Sequence, residues 1–232
     1  TLLCIVETQI DGNRVEALAG TLGYDRAYVV DSQGRSGGIG LFWNNEIKIE
    51  NFGYSAYHID AHVTLPGASP WRLTVMYGEA QVSDRGKTWD VLRSLAEDDG
   101  LPWVCFGDFN EVLSLNEHDG VGHRCMTQVN GFREAVDTCG LIDLGFSGNN
   151  WTFEKRVARG TYTRVRLDRA LATPSWYSMY QGAVLSHKSA TTSDHIPILL
   201  QLSPVDDQPR QARPFRYEMM WESHEGFQAT IE

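Results

Sequence analysis

Short strand-like runs, broken by turn-forming residues, recur along almost the whole chain, whereas helical periodicity surfaces in only a few places. Leu2-Leu3-Cys4-Ile5-Val6 reads as a buried strand ending at Glu7, and further strands are predicted near residues 26–30, 39–43, 46–50, 57–63 and 71–77. Asp31-Ser32-Gln33-Gly34, Asn44-Asn45 and Pro66-Gly67 supply the turns between them. The apolar run Pro102-Trp103-Val104-Cys105-Phe106 is another strand, closed by Gly107-Asp108-Phe109-Asn110, and strands recur near 151–153, 163–171, 182–186 and 196–202. Helical spacing appears over 13–22 (Val15, Leu18, Ala19, Leu22), from Ser83 or Asp84 to about residue 97 (Trp89, Leu92, Leu95, Ala96), and over 127–139 (Val129, Phe132, Val136, Cys139). Many short strands with a few intervening helices predict an α/β fold, a two-sheet β-sandwich flanked by helices. The predicted domain spans residues 1–203. Residues 204–232 then read as a polar, proline-containing linker leading into the start of a following region that is weakly helical from Phe215.

A chain of 232 residues that is 42% hydrophobic can bury one large core. No apolar stretch approaches the roughly 20 residues that span a bilayer, so no membrane partner is expected, and the N-terminus lacks the basic-then-apolar pattern of a signal peptide. Cys4, Cys105, Cys125 and Cys139 show no C-x-x-C spacing, which favours free thiols over disulfides or a zinc site. His58, His62, His118 and His123 likewise show no ligand spacing. The formal charge of −10 excludes nucleic-acid binding by bulk electrostatics; any such binding must rest on a local basic surface and a metal.

Reactive side chains collect at strand ends. Glu7 ends the first strand and Tyr77 ends Leu73-Thr74-Val75-Met76. Asp108 and Asn110 share one face by strand alternation, Asp168 lies in Arg166-Leu167-Asp168-Arg169-Ala170-Leu171, and Asp194-His195 opens the last strand. Each has a plainer reading: a solvated strand end for Glu7, a core-edge tyrosine for Tyr77, a surface ion pair for Asp168, a cap for Ser193-Asp194-His195. Gathered at one rim they would give carboxylates for a hard cation, an amide to donate to a phosphoryl oxygen, and a histidine for proton transfer. That inventory suits metal-assisted phosphodiester hydrolysis. Gly34-Arg35-Ser36-Gly37-Gly38 lacks the lysine and following helix of a phosphate-binding loop and reads as a hairpin connection.

Glu7-Thr8, Gly107-Asp108-Phe109-Asn110, Leu167-Asp168 and Ser193-Asp194-His195, in this order and spacing, resemble the endonuclease/exonuclease/phosphatase superfamily. Longer phrases are similar to the endonuclease domain of plant LINE-type (non-LTR) retrotransposons: Gly34-Arg35-Ser36-Gly37-Gly38, Tyr77-Gly78-Glu79, Gly131-Phe132-Arg133-Glu134-Ala135, the run from Leu141 to Gly148, and Arg166 to Leu171. The resemblance implies Mg²⁺, or Mn²⁺, held by Glu7 with Asp194 completing the metal side. It further implies Tyr77 on the scissile phosphate, Asp108 orienting or deprotonating the attacking water, Asn110 on the phosphate, Thr152 as a rim threonine, and Asp168 paired with His195. The implied reaction cuts a DNA strand to leave a 3′-hydroxyl that primes a reverse transcriptase domain of the same polyprotein, in the nucleus.

Lys155, Arg156, Arg159, Arg164, Arg166 and Arg169 crowd the segment between Thr152 and the end of the Asp168 motif, and a basic hairpin there would track a nucleic-acid backbone through Arg159 and Arg164. Two other readings stay open: a phosphatase or phosphodiesterase acting on a small or lipid phosphate, and a catalytically weak or inactive remnant. The second follows from the resemblance, because the family begins with a strand carrying a metal-side Asn upstream of the Glu, and Thr1 stands directly before Leu2, as at a domain cut from a longer chain.

Overall fold

The computed structural model of the chain describes residues 1–32, 34, 37–96, 100–122, 124–157, 161–189 and 193–202. The strands are β1 (Leu2–Val6), β2 (Arg26–Val30), β3 (Ile39–Trp43), β4 (Lys48–Ser55), β5 (His58–Thr64), β6 (Trp71–Tyr77), β7 (Trp103–Asp108), β8 (His118–Gly120), β9 (Ile142–Asp143), β10 (Ser147–Gly148), β11 (Phe153–Arg156), β12 (Tyr162–Val165), β13 (Asp168–Ala172), β14 (Val184–His187) and β15 (Ile198–Gln201). The helices are α1 (Gly12–Glu16), α2 (Leu18–Leu22), α3 (Gly86–Ala96), α4 (Met126–Thr138) and α5 (Pro174–Met179).

A six-stranded sheet, in the order β4-β5-β6-β7-β13-β9, forms one layer, and two three-stranded sheets, β1-β3-β2 and β10-β14-β15, form the other. Strand alternation divides the apolar side chains between the two faces of the large sheet. Leu73, Val75 and Val104 join Ile39, Leu41, Ile59 and Trp176 in the core between the layers. Met76, Cys105 and Leu171 meet Leu92 of α3 and Phe132, Ala135 and Val136 of α4 on the opposite face. The two-sheet sandwich flanked by helices that the sequence predicts is the architecture observed, with the second layer divided in two. Among the described residues β1 pairs with β3 and β15 with β14, while Leu2, Cys4, Val6, Leu200 and Leu202 pack on the same core.

Some elements differ from the expectations. The helix over 13–22 is two short helices meeting at Ala17, and the strand predicted at 163–171 breaks at Arg166-Leu167 into β12 and β13. The helix α5 carries a plain start signal, the Thr173 cap followed by Pro174 in the first turn, without a long apolar period to announce it. The cysteines are free; Cys105 and Cys139 are buried, but Cys125 is exposed. Residues 204–214, expected to be a linker, and the stretch from Phe215 lie outside the described residues, as do Arg35, Ser36, His123 and Arg159. The Gly-rich segment connects the antiparallel β2 and β3, as a hairpin connection does.

Candidate active site

Three neighbouring strands set three candidate residues in one row. In the parallel pairing of β6 with β7, Tyr77 stands opposite Asp108, and in the antiparallel pairing of β7 with β13, Asp108 stands opposite Asp168. Asp108 and Asp168 are both buried. The row depends on close backbone approach at Gly78, whose N–H donates to the Asp108 carbonyl at 2.7 Å. A Cβ at Gly78 would lie 2.3 Å from the Phe109 carbonyl oxygen. Because that neighbour is backbone, Gly78→Ala is expected to push the Asp108–Asn110 turn away from Tyr77 and cost about 10²-fold in rate, as misplacements near 1 Å do. The rate of phosphodiester hydrolysis, if the row supports it, read alongside a circular-dichroism melt checks this; an unchanged rate in a folded variant would count against the row.

Asn110 adopts φ 53°, a left-handed conformation that Asn tolerates better than most residues. Its backbone N–H donates to Asp108 Oδ1 at 2.8 Å, and its Nδ2 donates to Asp108 Oδ2 at 3.1 Å and to the Gly78 carbonyl at 2.8 Å. The amide hydrogens expected to face a phosphate thus lie on protein acceptors, where they fix the orientation of Asp108.

His195 bridges the two aspartates. Nδ1 donates to Asp168 Oδ2 at 2.9 Å, and Nε2 lies 4.0 Å from Asp108 Oδ2. The segment is stitched in place by Glu154 N–H donating to the Asp194 carbonyl and Ile196 N–H to the Thr152 carbonyl, both at 2.8 Å. Burial works against a charged imidazole, but the hydrogen bond and charge of Asp168, with Asp108 and Asp194 behind it, outweigh burial and push the His195 pKa up to about 9. Asp168→Asn is therefore expected to bring the His195 midpoint down towards neutrality in an NMR titration; an unmoved midpoint would mean that Asp168 does not hold the charge.

Asp108 is pushed up to about 7, chiefly by burial and then by the charge on Asp168, with Glu7 adding to the effect and His195 and the Asn110 N–H opposing it. Tyr77 is raised well beyond the usual phenol range by burial, by the charges of Glu7 and Asp108, and by a hydrogen bond with Glu7. Glu7 directly follows β1 with φ 56° and accepts from Gln9 Nε2 at 2.9 Å.

The structure sorts the remaining expectations. Metal-ligand atoms of Asp108, Asp168 and His195 lie within 4.8 Å of one another, and neither Glu7 nor Asp194 belongs to that group. Asp194 is exposed and contributes its backbone carbonyl and its charge. Thr152 is fully buried: its Oγ1 accepts from the N–H groups of Leu167 and Asp168, at 2.9 and 3.0 Å, so it anchors the strand break beneath Asp168 rather than lining the rim. Arg164 is partly exposed and donates to Glu154 at 2.6 Å. Arg166 and Arg169 are buried and paired with Glu117 and Asp143, which removes both from the basic surface predicted for the hairpin.

Sequence reasoning missed a second buried group. Glu111, fully buried next to Asn110, pairs with Arg85 at 2.6 Å and with Arg124 at 3.2 Å. An acid placed between the apolar Phe109 and Val112 was its one signal.

The donor set near Asp108 is hard oxygen with one imidazole and no thiol. Burial and the neighbouring charge of Asp168 disfavour the Asp108 carboxylate, and His195 offsets this only in part. The donor set fits a divalent cation such as Mg²⁺ or Mn²⁺, with Asp108 and Asp168 as the carboxylates that would hold it.

A sequence profile of the Endonuclease/Exonuclease/phosphatase family matches residues 1–195. No curated protein matches the chain. Among solved structures, the chain is similar to a 3′-5′ exonuclease from Neisseria meningitidis, at 17% identity over 87% of this chain and 88% of that one, with a TM-score of 0.62. An AP endonuclease from Archaeoglobus fulgidus shares 18% identity over 87% and 88% of the two chains, with a TM-score of 0.63. The endonuclease domain of TRAS1, a telomere-specific non-LTR retrotransposon, shares 12% identity over 86% of this chain and 98% of that one, with a TM-score of 0.58.

Proposed function

The chain belongs to the Endonuclease/Exonuclease/phosphatase family, and from that premise we propose that it is a metal-dependent DNA endonuclease of the kind non-LTR retrotransposons carry, cutting one strand to leave a 3′-hydroxyl. The row of Tyr77, Asp108 and Asp168, capped by His195, carries the reading as a phosphodiester hydrolase. The phrases shared with plant LINE-type endonucleases, spread over most of the chain, support DNA as the substrate and a reverse transcriptase domain as the partner. Lys155 and Arg156, exposed on β11, are the described cations of the hairpin best placed to meet a backbone.

In this reading each residue does one thing. Asp108 accepts a proton from the attacking water. Its carboxyl titrates near 7, which matches that task at neutral pH. His195, kept charged by Asp168, donates to a phosphoryl oxygen where negative charge grows. Tyr77 keeps its proton through the physiological range, and its O–H, hydrogen-bonded to Glu7 in the free protein, turns to donate to the same phosphate when substrate binds. Asn110 holds the Asp108 carboxylate in one orientation, and Thr152 holds the backbone of Asp168. A divalent ion, when bound at these carboxylates, would polarise the phosphoryl group and lower the pKa of a bound water.

Nicking of supercoiled plasmid in Mg²⁺, beside an EDTA blank and an Asp108→Ala/His195→Ala double variant, tests the proposal. Metal-dependent nicking that the double variant loses is the expected result. A folded protein that leaves plasmid intact but releases phosphate from small or lipid esters is a phosphatase, and one inert on both is a remnant.

A further inference from the structure

Resting on the nuclease reading, we propose that Arg124 is a substrate-contacting residue: a guanidinium seated on buried Glu111 that presents its free donors to a phosphate of the bound DNA beside the Asp108–Asn110 turn. The seat is specific. Arg124 Nη1 donates to the Asn110 carbonyl and to Glu111 Oε1, each at 3.2 Å. Both bonds use one nitrogen, so Nε and Nη2 donate to no described residue. That leaves a planar pair of N–H directions, the geometry that grips a phosphate in two places.

Glu111 is fully buried and already paired with Arg85 at 2.6 Å, so one carboxylate carries two guanidinium groups and the trio keeps a net positive charge. Arg85, with a side chain only 7% exposed, spends itself on Glu111, while the Arg124 side chain is 14% exposed and meets solvent. The negative charge of Asp108 acts on Arg124, so the two groups are close enough to interact. Arg166 and Arg169 are buried on Glu117 and Asp143, and Arg164 bonds Glu154 of the neighbouring β11 rather than the Asp108–Asn110 turn. Among the described arginines, Arg124 alone both touches the Asp108–Asn110 turn and retains unused donors at the surface. An acidic centre that must receive a polyanion needs such a cation. A guanidinium held by a buried carboxylate reaches the phosphate already oriented, so little rotamer freedom is lost on binding.

A purely structural role makes a different prediction, because Arg85 and Arg124 would then be equivalent partners of Glu111. The test compares Arg124→Met, Arg124→Lys and Arg85→Met. Binding of a short fluorescein-labelled duplex is measured in EDTA across a salt series, so that affinity is read without cutting. Loss of one phosphate contact should make the slope of log K against log salt shallower by about 0.9 for Arg124→Met. Arg124→Lys should restore the slope, and Arg85→Met should leave it unchanged while lowering the melting temperature. In the nicking assay Arg124→Met should lose about 10²-fold in kcat/KM, the scale for removing one donor to a reacting oxyanion. Equal slopes for wild type and Arg124→Met, a parallel loss of slope in Arg85→Met, or a wild-type protein that does not bind duplex would each overturn the contact. Wild-type protein that binds duplex but never nicks it would sink the nuclease reading instead, and the slope difference would still decide the role of Arg124.

Discussion

Asp108→Asn is expected to abolish nicking while leaving the metal-free protein at least as stable as the wild type above neutral pH. The activity loss follows from removing the proton acceptor in the row, and general-base help of this kind is worth about 10²–10⁴-fold. The stability effect follows from linkage. Asp108 titrates near 7 in the folded chain against an ordinary value of 3.8, because burial and the Asp168 charge disfavour its ionised form. A group whose folded pKa is raised contributes stability that is fully present below the ordinary value and is lost as pH rises through the folded one. Wild-type stability should therefore decline between about pH 4 and pH 7 through this residue, and Asp108→Asn should flatten that decline. The variant gives up one acceptor for the Asn110 donors, which offsets part of the gain and leaves a net stabilisation on the order of 1–2 kcal/mol at pH 8. Urea unfolding in EDTA at pH 5 and pH 8 measures it. Adding Mg²⁺ should raise the midpoint of the wild type and do little for the variant. A variant much less stable than wild type at pH 8, or one that still nicks, would contradict the role given to this carboxylate.

Arg169→Met is expected to be the most destabilising of the single substitutions considered, costing about 3–5 kcal/mol, the usual penalty for breaking a buried ion pair from one side. The Arg169 side chain is fully buried. It donates through Nη1 to Asp143 at 2.8 Å and through Nη2 to Glu117 at 2.9 Å and to the Arg166 carbonyl at 3.0 Å. Removing it leaves two carboxylates sharing Arg166 alone, with donors at 2.8 Å to each. Burial works against ionisation of Glu117 and Asp143, but the two arginines prevail and hold both carboxyls below their ordinary values. That contribution is present above the ordinary values of 4.5 and 3.8 and is lost as pH falls through the lowered ones. Urea unfolding at pH 7, followed by far-UV circular dichroism, should show the midpoint drop, and the acid limb of the stability curve should become shallower. Because Arg166 and Arg169 flank Asp168, activity should fall with stability. A near-neutral effect would mean that the site is held by Thr152 alone.

Much of the architecture was legible in the residues. The strands β1, β2, β3 and β6 appear where alternation and turn signals put them, and α3 and α4 where the helical period does, because both patterns are local. Glu7, Tyr77, Asp108, Asp168 and His195 stand out in the sequence as reactive groups near predicted strand ends, and strand pairing brings Tyr77, Asp108 and Asp168 together. Other features were not legible. A single strand over 163–171 fits the residue types, yet Thr152 captures the N–H groups of Leu167 and Asp168 from 15 and 16 residues away and ends the ladder there. The basic character of the hairpin was overread for the same reason: Arg166 finds Glu117 49 residues away, and Arg169 finds Asp143 across 26.

The sequence by itself determined which side chains of the regular elements face a core and that Glu7, Tyr77 and Asp108 lie at strand ends, since the two-residue period of a strand and the 3.6-residue period of a helix are written in neighbouring positions. Only the tertiary structure decided the register that sets Tyr77, Asp108 and Asp168 side by side, and which charge meets which. Those outcomes depend on partners far apart in the chain, whose pairing is worth little in water and becomes decisive once folding has removed the water between them.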